Sequence, residues 1–109
     1  MATTFELAGQ EFIALNGGPM FTFSPAISFF VNCETQEEVD AFWEKLSEGG
    51  EKRSCGWLKD KYGVSWQIVP TILGQLLHKD PGKSTRVMNA MMQMKKLDIA
   101  GLKRAYEQQ

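Results

Sequence analysis

Histidine is almost missing from this chain: His78 is the only one in 109 residues, and cysteine occurs twice, as Cys33 and Cys55. Two cysteines are too few for a disulfide framework, and their spacing fits no zinc motif. They read as reduced thiols of a cytoplasmic protein. An excess of either charge is missing too. The formal net charge of -1 leaves no electrostatic footprint for nucleic acid or an anionic membrane. No apolar run is long enough to span a bilayer. The opening "MATTFELAGQ" has neither the basic start nor the apolar run of a signal peptide. Internal repeats and low-complexity segments are also lacking. What remains is an ordinary globular composition, 43% hydrophobic and 23% charged. At this length it makes one domain with a modest core, which docking against a second copy would help.

Periodicity orders the chain. "TFELAGQEFIALNGG" is two short runs around Ala8-Gly9-Gln10, a hairpin signal. In its second run Phe12, Ala14 and Asn16 share one face, with Ile13 and Leu15 on the other. Gly17-Gly18-Pro19 ends it, since glycine pairs and proline do not continue a ladder. "AISFFVNC", residues 26 to 33, is β-branched and aromatic, which predicts a strand. Alternation puts Ile27, Phe29, Val31 and Cys33 on one face and Ala26, Ser28, Phe30 and Asn32 on the other. Thr35 with Glu38 three residues on is a capping box, opening a helix whose stripe is Val39, Phe42, Trp43 and Leu46. Gly49-Gly50 stops that helix.

"SCGWLKD" and "VSWQIVP" predict two strands around Asp60-Lys61-Tyr62-Gly63, with Gly63 at a positive-φ position. Val64, Trp66 and Ile68 belong against the helix, so Gln67 looks the other way. The tail is helical. "TILGQLL" is a short amphipathic segment, Asp80 caps and Pro81 opens a second helix, and Asp98 starts a third. Strand, helix and three further strands with antiparallel pairing make an α+β layer, helix on one face and an open concave face on the other. An uncovered concave face calls for a second copy to complete the cup.

The stretches "GQEFIALNGG", "AISFFVNCETQEEVDAFWEKL", "CGWLKDKYGVSWQIVP" and "RVMNAMMQMKKLDIAGLKRAY" cover nearly the whole chain. In that order they resemble the vicinal-oxygen-chelate superfamily of glyoxalase I, bleomycin-resistance proteins and extradiol dioxygenases. The resemblance is strongest to its PhnB-like branch, often labelled "3-demethylubiquinone-9 3-methyltransferase". It implies a complete βαβββ module over residues 24–70, a helical tail over 71–109, and a residual hairpin over 1–18 from a truncated first module. It also implies a homodimer that pairs two complete modules, with exchanged hairpins as one arrangement.

Catalytic members of that superfamily take His from the first strand of a module and Glu from its last. The matching positions here are at or near Ala26 and at Gln67, and the hairpin strand offers only Ala14 and Asn16. An amide is a weak, uncharged ligand, and metal sites need three or four convergent donors. The expectation is therefore no metal, no cofactor and no catalytic residue. The ligand-binding candidates are Ser28, Phe30, Trp57 and Gln67.

Each candidate has a plainer reading. Gln67 either orients a ligand or is a core amide bonded to neighbouring backbone. Ser28 either binds beside Phe30 or bonds locally. Trp43 and Trp66 read as core, whereas the parity of Trp57 is open. Met88, Met91 and Met92 form either a lid or a packing stripe. Cys33 and Cys55 have no neighbouring base in sequence, and His78 is not expected to serve either of them. The charge runs Glu48 to Arg53 and Lys95-Lys96 read as solvated surface.

Three functions follow. The favoured one is a metal-free protein that binds a small apolar or aromatic molecule in a cup completed by dimerisation. The alternatives are an enzyme of the same superfamily (a lyase, dioxygenase or methyltransferase) and a truncated remnant acting only as a dimeric structural module. A methyl-donor site would want a glycine-rich strand-to-helix turn in a doubly wound sheet, and no stretch here resembles one.

Overall fold

Two residues with positive φ, Ala8 at 50° and Gly9 at 82°, fold the start of the chain back on itself. The computed structural model describes residues 2–108. Strands β1 (Ala2–Leu7) and β2 (Gln10–Leu15) pair antiparallel around that two-residue turn, so Gln10 belongs to the strand and not to the turn. Paired positive φ values match the right-handed twist of the strands that follow. Phe5 stacks on Phe12 at 5.5 Å, Phe12 meets Phe29 edge-on at 5.7 Å, and Phe29 lies 5.1 Å from Trp66. This thread of rings attaches the hairpin to the main sheet.

The main sheet holds β3 (Ser28–Cys33), β4 (Glu51–Lys52), β5 (Trp57–Lys59) and β6 (Ser65–Pro70), in the order β3-β6-β5-β4. β3 and β6 run parallel, and the other pairs are antiparallel. The parallel pair needs a crossover, which helix α1 (Gln36–Ser47) provides. Thr35 Oγ1 accepts from the Glu38 amide at 3.2 Å, as the capping box requires. The Glu38 carboxylate reaches back to the Glu34 amide, one residue before the cap, at 3.2 Å.

Cys33, Val39, Trp43, Leu58 and Ile68 form the core between α1 and the sheet, flanked by Val31, Leu46 and Trp66. A second core lies among the tail helices α2 (Ile72–Lys79), α3 (Pro81–Met92) and α4 (Ile99–Glu107). Leu73, Leu76, Val87, Leu97 and Leu102 pack there with Val69 of β6, so the tail docks on the end of the sheet. Asp80 caps α3 by accepting from the Gly82 amide at 2.9 Å.

Several expectations change. β3 begins at Ser28, so Ala26 and Ile27 precede the strand, and Ile27 is exposed and not part of the strand face of Phe29, Val31 and Cys33. β5 is only three residues long, because Cys55 (φ 62°) and Gly56 (φ 82°) break the extended run before it. The module's remaining strand is β4, inside a charge run that read as surface. Its side chains are indeed solvated, so alternation had nothing to reveal. Lys96 lies at the surface as read, and its ammonium pairs there with Asp40 of α1 at 3.0 Å.

The molecule measures 57 × 27 × 23 Å with a radius of gyration of 16.1 Å. A compact chain of about 100 residues has a radius near 13 Å. The projecting hairpin accounts for the elongation, since both of its strands are almost wholly exposed.

Candidate functional site

Strand register builds the face that α1 leaves open. Phe30, Gln67 and Trp57 lie side by side on one rung of β3, β6 and β5. Directly paired residues share a face, so Trp57 stands with Gln67, which resolves its parity. The next rung carries Ser28, Ser65 and Lys59. Gln67 Nε2 donates to Ser28 Oγ at 3.0 Å, joining the two rungs. All four binding candidates thus meet on one surface. Phe30 is 54% exposed, and Ser28, Trp57 and Gln67 are half-buried. Gln67 is neither a backbone-bonded core amide nor free.

Lys59 extends the surface and Ser65, 2% exposed, lies buried between it and Ser28; neither was singled out from the sequence. The signal was available: each lies two residues from a candidate on its own strand, hence on the same face. Asn32 shares that face, two residues beyond Phe30.

The opposite face keeps Trp66 in place. Asp60 Oδ1 accepts from the amides of Tyr62 and Val64, each at 2.9 Å, and Oδ2 accepts from Trp66 Nε1 at 2.9 Å. Gly63, at φ 91°, closes the turn. Trp43 of α1 is buried against the sheet, and Trp66 of β6 is half-buried in the same core.

Ala26 lies outside the open face. It lines a cleft of about 360 Å³ at the end of the sheet, with Phe23, Ile27, Phe29, Val64 and Ser65. The position matched to a relative's histidine, Ala26, thus precedes β3, whereas Gln67 lies within β6. Among the described residues, no three His, Cys, Asp or Glu side chains come together to hold a cation. An amide and a hydroxyl do not fit a divalent metal. A methyl donor fits no better, because Glu34-Thr35 and Thr71, which lead from strands into α1 and α2, contain no glycine.

The remaining reactive groups lie elsewhere. Cys33 is buried under α1, where burial, with a smaller push from Glu38, raises its thiol pKa. His78 is an exposed residue of α2. The Asp40 carboxyl is lowered by its bond from Gln36 and by Lys96. The methionines do not form one lid: Met91 packs into the tail core, while Met88 and Met92 face solvent.

A β-hairpin and a four-stranded mixed sheet with a helix on one face define an α+β fold. The family model for 3-demethylubiquinone-9 3-methyltransferase matches residues 1–69, and the chain belongs to that PhnB-like family. This is the membership expected from the sequence, consistent with the vicinal-oxygen-chelate superfamily. Among solved structures, the chain is similar to a PhnB protein from Bacillus cereus described with the same methyltransferase label. The two are 41% identical with a TM-score of 0.60, over 65% of this chain and 64% of that one. A search of curated proteins finds no match.

Proposed function

We propose that this protein binds a small molecule without a metal, in a cup that a second copy of the chain completes. The observation that carries this reading is the rung of Phe30, Gln67 and Trp57, with Gln67 held by Ser28, on a face that α1 leaves uncovered. Aromatic side chains around a few placed polar groups are the usual make-up of a ligand site. The donors on this face are neutral amides, hydroxyls and one ammonium, which supports binding over lyase or dioxygenase chemistry.

The second copy is supported by the hairpin and the segment after it. Ile13, Leu15, Met20, Phe21, Phe23 and Ile27 are each at least 66% exposed. Leu15, Phe21 and Phe23 line one cleft and Phe23 and Ile27 another, and contiguous exposed apolar surface is characteristic of an interface. An exchanged hairpin is one way to cover it, since the aromatic thread is the hairpin's main anchor. The cytoplasm suits two unbridged thiols. Among the described residues, no helix is long and apolar enough to cross a membrane.

Sedimentation across a dilution series, with metal analysis of the same sample, tests the reading. A dimer without stoichiometric metal is expected. A monomer that keeps full thermal stability, or one equivalent of bound metal, would overturn it.

A further inference from the structure

The turn that joins β4 to β5 is held from outside its own hairpin. Cys55 and Gly56 both have positive φ, at 62° and 82°, and the Trp57 amide closes the turn on the Ser54 carbonyl at 3.2 Å. A left-handed conformation at a residue with a Cβ persists only where its surroundings enforce it. Here the carbonyls of Met94 and Lys95 do so, accepting from the Cys55 and Gly56 amides at 2.8 Å each. Leu97, fully buried, packs on the same turn. A Cβ at Gly56 would lie 3.0 Å from Leu97 Cδ1 and 2.9 Å from the Ile68 carbonyl oxygen, so only glycine fits there. The Gly56 carbonyl accepts from the Ile68 amide at 2.8 Å, which fixes the turn against β6.

Segment 94–97 lies between α3 and α4 and is fastened on its far side as well. Lys96 pairs with Asp40 at 3.0 Å, and Gln36 Nε2 donates to the Leu97 carbonyl at 3.1 Å. Met94 and Leu97 also belong to the tail core. One short segment therefore touches the tail core, α1 and the turn. The residue that leaves the turn is Trp57, which stands on the open face beside Gln67.

We infer that residues 94–97 form a strap that sets where Trp57 stands, coupling the seating of the tail to the open face. The element with two states is the turn. With the strap seated, its two amides are paired and its left-handed backbone is enforced. With the strap released, both amides lose their partners, and Cys55 relaxes toward the conformations that a residue with a Cβ favours. β4 has only two residues and β5 three, so neither strand can absorb the change before it reaches Trp57. The coupling stands whatever the face binds; its use as control of a ligand site rests on the binding-cup reading above.

Fluorine NMR of the intact protein labelled with 5-fluorotryptophan, its resonances assigned by single Trp→Phe variants, tests the inference. Gln36→Ala and Leu97→Ala unseat the strap from opposite sides. Leu76→Ala, elsewhere in the tail core, controls for stability lost without touching the strap. Both strap variants should shift or broaden the Trp57 resonance and speed hydrogen exchange of the Cys55 and Gly56 amides at least about tenfold over the Leu76→Ala control. The Trp66 resonance, held by Asp60, should stay in place. If Leu97→Ala does not fold, Lys96→Ala takes its place beside Gln36→Ala, since neither removes a core side chain. A Trp57 resonance that stays fixed in the strap variants, or moves equally in Leu76→Ala, overturns the coupling and leaves the binding cup standing. A monomer or bound metal in the sedimentation experiment overturns the cup and leaves the coupling standing.

Discussion

Gln36, the first residue of α1, closes the N-terminus of α4 from across the molecule: its Oε1 accepts from the Ile99 amide at 2.8 Å. Its Nε2 donates to the Leu97 carbonyl at 3.1 Å and to Asp40 at 3.0 Å. Asp98 occupies the cap position of α4 but makes no side-chain cap bond, so Gln36 does the work expected of Asp98. A helix start has unpaired N–H groups that need a partner from somewhere. Here the partner comes from 63 residues away.

Replacing Gln36 with Ala should therefore loosen the tail from the module. Two backbone groups and the Asp40 carboxylate lose a partner, so a cost of about 1–3 kcal/mol is expected. Urea denaturation of the variant measures it. A change under about 0.3 kcal/mol would mean that solvent replaces the amide without penalty.

Ala8 sits at φ 50°, where a side chain with a Cβ is disfavoured. Ala8→Gly or Ala8→Asn should stabilise the hairpin, by about 0.5–1 kcal/mol, because both residues accept the left-handed region more readily. Thermal melts of the two variants decide the sign. Destabilisation by both would show that the turn is not held in this form.

The two thiols should react in a fixed order. Cys33 is fully buried and its pKa is raised by burial, whereas Cys55 is half-exposed. Iodoacetamide should modify Cys55 in the native protein and reach Cys33 only on unfolding. The linkage sign follows from the raised pKa. The Cys33 contribution to stability is whole below the ordinary thiol value of 9.0 and is lost as pH rises above it through the folded value. Denaturation curves at alkaline pH should weaken more in the parent than in Cys33→Ala.

Gln67→Glu adds a carboxylate at the position where catalytic relatives place one. No divalent-metal binding is expected, since Ser28 supplies only a hydroxyl and Ala26 lies off the sheet. Zinc and manganese titrations of the variant check this; uptake of one equivalent would mean that donors converge from a second copy.

Much of this protein was determined by local sequence alone. The alternation in β3 and β6 put Ser28, Phe30 and Gln67 on one face, because the side-chain period of a strand leaves only two choices. Thr35, Asp80 and Gly63 took their expected positions, since caps and tight turns depend on residues three or four apart. The family, too, was legible in the stretches before the tail, where the family model matches residues 1–69. Tertiary structure decided what depends on distant partners. Strand pairing set Lys59 opposite Ser65 and made Glu51–Lys52 a strand, and no local pattern in the sequence gives either partner. Gln36 became the cap of α4 only because α1 and the tail pack together, and a hydrogen bond between residues far apart in sequence leaves no periodicity to read.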